Sequence, residues 1–336
     1  MSERPPREPG RHLVLTGPTA SGKSALALEL ARLRSARGES VEIVTVDSMQ
    51  VYRGMDIGTA KPTAAERAEV PHHLIDLVDP DAEFSVAEFA RAAEDALDDI
   101  EARGASAVLV GGTALYLQAV VDRLQVPGRY PEVLAELDAE PDTVALHRRL
   151  AELDPLAAGR MEPTNRRRIL RALEVTLGSG RPFSSWGPGL GSFADTPYVL
   201  CGLRVPRDVL AQRIERRYHQ QLDAGFLDEV RRLTAQFELS RTARQALGYA
   251  ELLEHLAGRC TLTDAVDRAV VRTRQFAVRQ IRWFRRDPRL TWFDREGEPG
   301  RLALEVDRRW QECAAGRTGS TATVEDGHDP APAGPR

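Results

Sequence analysis

Short apolar runs recur along the chain, each closing on a residue suited to a turn. Arg11–Thr16 ends on Gly17, Val41–Val46 on Asp47, Ala107–Val110 on Gly111-Gly112, and Tyr198–Val205 on Pro206. Runs of this length without strict alternation are the pattern of strands buried on both faces. His73–Val78 is a further strand candidate. Between the runs the spacing becomes helical. Leu26, Leu28, Leu30 and Leu33 in an Ala-rich stretch predict a helix over Ser24–Arg37, and Val86–Arg103 predicts another, stopped by Gly104. Strands alternating with helices predict an α/β fold with a parallel sheet and right-handed crossovers.

The rhythm changes after Val126. From there to Asp195 the chain reads as helices with no convincing strand, punctuated by Pro127, Pro131, Pro141, Pro155 and Pro163. Long helices are expected over Arg207–Ala224, Leu227–Gln236 and Asp264–Arg286. The predicted layout is a core of residues 11–125 and 196–312 with C-terminal helices, a helical insertion over 126–195, and a disordered tail over 313–336, rich in Gly, Thr, Ala and Pro. At 336 residues the chain exceeds what one core needs. With 42% hydrophobic and 29% charged residues it reads as globular. No apolar run suits a signal peptide or a membrane span, so a cytoplasmic protein is expected. Cys201, Cys260 and Cys313 are too scattered for a zinc site or a disulfide framework.

Candidate chemistry begins at Gly17-Pro18-Thr19-Ala20-Ser21-Gly22-Lys23-Ser24, which fits G-x-x-x-x-G-K-[ST] without a gap. Glycines let the backbone wrap a phosphate with its N–H groups, and the following helix points its positive end at the same anion. Lys23 adds a point charge, and the Ser24 hydroxyl is placed to ligate Mg²⁺. The core is therefore read as P-loop NTPase-like. Only two lysines occur, Lys23 and Lys61, against many arginines, which suggests two places where a compact ammonium is wanted. The loop alone suits a nucleotide kinase, an ATPase or a prenyl-diphosphate transferase.

Asp47 closes the second strand, and ligands in open α/β sheets bind at the carboxyl ends of strands. A carboxylate there can hold Mg²⁺, take a proton from a nucleophile, or cap a turn. It opens the phrase Asp47-Ser-Met-Gln-Val-Tyr-Arg-Gly-Met-Asp-Ile-Gly-Thr-Ala-Lys-Pro62. This phrase, the phosphate loop, Gly111–Thr113, Arg166–Val175, Arg181–Phe183, Arg244–Tyr249 and Thr273–Arg285 stand in an order that resembles bacterial tRNA dimethylallyltransferases, from about residue 11 to 293. The resemblance implies that Asp47 is the general base toward an adenine N6 amine and that Thr113 lies where prenyl group and adenine meet. It implies dimethylallyl diphosphate on residues 17–24 and Arg217, with Arg213 and Arg216 as competitors, and Mg²⁺ as cofactor. It further implies contact with a tRNA anticodon loop through Asp47, Ser48, Met49, Gln50, Arg167, Arg168, Arg171, Arg244, Gln245, Gly248 and Tyr249. In one place the chain departs from the family: Pro131-Glu-Val-Leu134 carries Leu134 where an arginine is often found, leaving Arg129 as a substitute.

Charge supports an RNA partner locally, although the net charge is -4. From Arg268 to Arg289 eight arginines face one acid, Asp287, and Arg166, Arg167, Arg168 and Arg171 form a second cluster. Phe276, Trp283 and Phe284, interleaved at helical spacing, are expected to turn toward the core. His72-His73 reads as the start of a strand. A monomer is expected, tRNA supplying the large interface. The alternatives are a small-molecule kinase, which would need an adenine-binding element not found here, a prenyltransferase of free adenine nucleotides, and an RNA-binding module with an idle loop.

Overall fold

The computed structural model describes residues 6–295 and 299–316. Among these, six parallel strands form one sheet in the order β3-β2-β4-β1-β5-β6. The strands are β1 (Leu13–Thr16), β2 (Val41–Val46), β3 (His72–His73), β4 (Ser106–Gly111), β5 (Val199–Arg204) and β6 (Thr291–Asp294). The helices before the insertion are α1 (Lys23–Ser35), α2 (Ala64–Glu69), α3 (Val86–Ala102) and α4 (Ala114–Val121). Within it are α5 (Pro131–Asp138), α6 (Thr143–Leu153), α7 (Pro155–Gly159) and α8 (Arg166–Ser179). After β5 come α9 (Arg207–Asp223), α10 (Phe226–Gln236), α11 (Arg241–Arg244), α12 (Tyr249–Leu256), α13 (Leu262–Phe284) and α14 (Pro299–Ala314).

Alternation along a strand sends neighbouring side chains to opposite faces. Leu13 and Leu15 accordingly pack with Leu26 and Leu30 of α1 and Val306 and Trp310 of α14. Val14 faces the other way, into a larger core with Phe89 and Leu97 of α3, Tyr116 of α4, Ile214 of α9 and Ala277 of α13. Both faces are thus covered, as a parallel sheet requires. Helices α5–α8 bury their own cluster around Leu146, Leu150, Ile169 and Leu173.

Differences from the sequence reading have local causes. The strand expected over His73–Val78 stops at His73, because Leu74 and Asp76 take positive φ of 64° and 57°. Asp76 turns there to meet Lys61 and Arg67. Strand β6 and helix α14 were not anticipated. The four residues Thr-Trp-Phe-Asp give too short a run to predict a strand, and α14 is marked only by Leu302, Val306 and Trp310 at helical spacing. Helix α14 ends at Ala314 and so takes in the first two residues of the expected tail; residues 317–336 of that tail lie outside those described. Of the helices, none among the described residues is long and apolar enough to cross a membrane.

Lys61 has a structural place. Its ammonium, almost wholly buried, donates to Asp56 at 2.8 Å, to Asp76 at 2.6 Å and to the Tyr52 carbonyl, and so folds the Asp47–Pro62 loop back on itself. Lys61→Met is expected to lower the unfolding free energy by about 2 kcal/mol, since both carboxylates keep some access to water. A urea titration with an unmoved midpoint would show the ammonium to be dispensable.

Candidate active site

Register brings the site together. Gly111 pairs with Thr16 on one side and with Val46 on the other, so β1, β4 and β2 end side by side. A Cβ on Gly111 would lie 2.0 Å from the Val46 carbonyl oxygen, which only glycine avoids. The residues that follow, Gly17, Gly112 and Asp47, therefore emerge at one carboxyl edge of the sheet.

Residues Gly17–Ser24 wrap the amino end of α1, with Gly22 capping it at φ 87°. Lys23 is half-buried and donates to the Pro18 carbonyl at 2.7 Å. Burial pushes its pKa down to about 7, Asp47 opposing the shift and Arg217 adding to it. Arg217 leans over the loop with Nη1 3.4 Å from the Thr19 hydroxyl, and burial lowers its pKa too. Of its competitors, Arg213 lies beside Arg295 and Arg216 is exposed. Lys23 and Arg217 thus crowd two cationic side chains at the amino end of α1. The Ser21 hydroxyl, buried there without a partner, adds a donor. Ser24 stands exposed on the first turn of α1.

Asp47 lies close enough to Lys23 and Arg217 to act on both charges. Its Oδ1 accepts the Met49 N–H at 2.8 Å, an Asx turn that leaves the other oxygen free of that bond. Thr113, at the amino end of α4, accepts the Ser48 N–H at 3.2 Å, and its hydroxyl stands 3.5 Å from that of Ser48. Asp47, Ser48 and Thr113 form one group beside the phosphate loop.

The IPP transferase family model matches residues 50–287. The chain belongs to the IPP transferase family. Relatives include the tRNA dimethylallyltransferase of Streptomyces coelicolor, 46% identical over 318 residues covering 92% of this chain and 99% of that one. That of Thermobifida fusca is 47% identical, covering 83% and 88%. Among solved structures, the full-length tRNA isopentenylpyrophosphate transferase from Bacillus halodurans matches with a TM-score of 0.65 at 36% identity, over 91% of this chain and 98% of that one. A eukaryotic dimethylallyltransferase captured acting on tRNA gives 0.71 at 26% identity, over 91% and 77%. The resemblance read from the Asp47–Pro62 phrase is borne out.

The remaining residues that the family resemblance assigned to RNA divide into exposed and buried. Arg167 and Arg168 on α8 are exposed, as are Arg244 and Gln245. Tyr249 is a correction: its ring is wholly buried, edge-on to Phe226, with its hydroxyl donating to Glu229 at 2.5 Å. Gly248 is buried as well, and a Cβ there would lie 2.8 Å from Phe226. The Gln50 side chain is also turned inward, donating to the Thr59 and Ala60 carbonyls. Arg171 is half-buried on Glu174 and the Pro127 carbonyl, holding the loop that leads into α5 against α8. Leu134 packs against the insertion's own core, while Arg129 is exposed, 3.9 Å from Glu83.

Helix α13 splits the long arginine row. Arg272, Arg274 and Arg289 are engaged with Glu251, Glu215 and Asp122. Arg279, Arg282, Arg285 and Arg286 are exposed. Phe284 is buried as expected, but Phe276 and Trp283 are only half-buried, beneath Arg279 and Arg286. Sequence reasoning also missed Gln280 and Arg295, which reach the phosphate loop from α13 and from the end of β6. Gln280 stood within a phrase read for its arginines, and Arg295 follows the strand that was not found.

Proposed function

We propose that the chain transfers a dimethylallyl group from dimethylallyl diphosphate to N6 of the adenosine at tRNA position 37, 3′ of the anticodon. The carrying observation is the meeting of the phosphate loop, Asp47 and Thr113 at three adjacent strand ends in a member of the IPP transferase family. The adenine amine is a weak nucleophile because its lone pair is delocalised into the ring. It must be held in line with the allylic carbon and lose a proton as the new bond forms. Asp47 takes that proton. The N6–C bond forms as the C–O bond to diphosphate breaks, and the leaving charge is met by the loop N–H groups, Lys23 and Arg217.

Mg²⁺ fits as a companion of the diphosphate rather than as a caged ion. No His, Cys, Asp and Glu cluster able to hold a metal occurs among the described residues, and the loop offers the exposed Ser24 hydroxyl. Magnesium commonly sits on one or two protein oxygens with substrate phosphates completing its shell. Bound there, it would neutralise charge on the leaving group.

The adenosine is stacked in its loop and has to be flipped out to reach Asp47. Exposed Arg167, Arg168, Arg244, Gln245, Arg279, Arg282, Arg285 and Arg286 supply phosphate and base contacts around it. The enzyme acts in the cytoplasm as a monomer. The deciding experiment offers radiolabelled dimethylallyl diphosphate and Mg²⁺ with either unmodified tRNA or AMP. Label in tRNA is the expected result. Label in AMP alone would move the chain to the free-nucleotide prenyltransferases, and label in neither with ATP consumed would make it a kinase.

A further inference from the structure

Helix α13 has two working sides. Outward it presents Arg279 and Arg282, with Arg285 and Arg286 exposed just past its end; inward it buries Thr273, Ala277, Gln280 and Phe284. Gln280 is only 4% exposed. Its Oε1 accepts the Thr19 N–H at 2.8 Å, and its Nε2 donates to the Gly112 carbonyl at 2.8 Å. These bonds fix the amide in one orientation, since only the oxygen serves an N–H and only the nitrogen serves a carbonyl. Thr19 belongs to the phosphate loop, and Gly112 directly precedes Thr113. A Cβ on Gly112 would lie 2.3 Å from Nε2, so the missing side chain is what admits the amide. Two turns back on the same face, the Thr273 hydroxyl meets the Tyr218 hydroxyl at 2.9 Å, and Tyr218 is the neighbour of Arg217.

We propose that Gln280 is a positioning residue: by bonding Thr19 and Gly112 at once, it sets the distance between the loop that holds the leaving group and the turn that carries Thr113. The inference rests on the prenyl-transfer reading above. Gln280 is buried, with its amide bonded to backbone at both ends. It acts through two backbone groups whose separation decides whether nucleophile and allylic carbon meet within reacting distance, and an error of about 1 Å in such a separation costs on the order of a hundredfold in rate.

Two variants test it in the labelled-transfer assay with tRNA, alongside thermal melts. Gln280→Met keeps the volume and removes both bonds; kcat is expected to fall about tenfold to hundredfold with the KM for tRNA unchanged. Gln280→Glu keeps the Thr19 bond but sets a carboxylate oxygen against the Gly112 carbonyl. Its kcat is expected to be equally low at pH 8. Relative to wild type it is expected to recover toward pH 6, where the protonated carboxyl can accept from Thr19 and donate to Gly112. Wild-type kcat in both variants, or a raised tRNA KM with kcat intact, overturns the proposal. If Gln280→Met does not fold, the pH ratio of Gln280→Glu decides alone, and equal impairment at both pH values overturns it. A wild type that transfers nothing to tRNA sinks the prenyl-transfer reading itself, and this proposal with it.

Discussion

Asp47→Asn is expected to lower the turnover of prenyl transfer by about a hundredfold to ten-thousandfold, the usual contribution of a positioned base. Asparagine is the informative change because its side-chain oxygen can still accept the Met49 N–H that Asp47 holds at 2.8 Å. The turn then survives and only the proton acceptor is lost. Diphosphate binding should persist, since the loop N–H groups, Lys23 and Arg217 are untouched. Asp47→Ala removes the turn as well, so any extra loss in alanine over asparagine measures positioning rather than proton transfer. Single-turnover rates with titration calorimetry of pyrophosphate separate the two quantities. Normal turnover in Asp47→Asn would end the base assignment. Lost pyrophosphate binding with turnover retained at saturation would make Asp47 part of the metal and phosphate site instead.

Lys23→Met is expected to weaken pyrophosphate binding by about two to three orders of magnitude, the scale for deleting one partner of a desolvated charge pair. The fold should tolerate it, because among the described residues the ammonium is bonded only to the Pro18 carbonyl. The same residue predicts a pH dependence. With its pKa pushed down to about 7 by burial, free Lys23 is charged below that pH and neutral above it. An anion binds the charged form and raises the pKa, so binding above pH 7 must take up a proton. Affinity from this group is fully present below about pH 7 and falls by up to tenfold per unit above it. Pyrophosphate titrates too, so the difference in slope between wild type and Lys23→Met isolates the lysine. Identical slopes would show that Lys23 stays charged throughout.

The sequence was most legible where one local rule was enough. The phosphate loop is a contiguous phrase whose glycines, lysine and serine each answer a local need, and it lies where the phrase predicts, between β1 and α1. The apolar runs became strands because burial on both faces demands unbroken apolar sequence. Asp47 was legible because it ends such a run. The proposed RNA surface was less so. A row of arginines does not say which of them meet acids from other helices, and Glu251, Glu215 and Asp122 take three. Nor does a family phrase say which side chains face outward: Tyr249 and Gln50 sit in matching phrases and are buried.

By itself, then, the order of residues determined the kind of fold, the loop for phosphate and the family, since these depend on spacing within short stretches. Tertiary structure decided the rest. Parallel register set Asp47, Gly112 and Gly17 side by side although they are far apart in the chain. Packing turned Lys61 from a candidate site residue into a buried strut and drove the Lys23 charge toward neutrality. Gln280 reached the phosphate loop only because α13 folds back across the sheet edge. Each of these depends on contacts between residues remote in sequence, where distance and desolvation, rather than spacing along the chain, fix the chemistry.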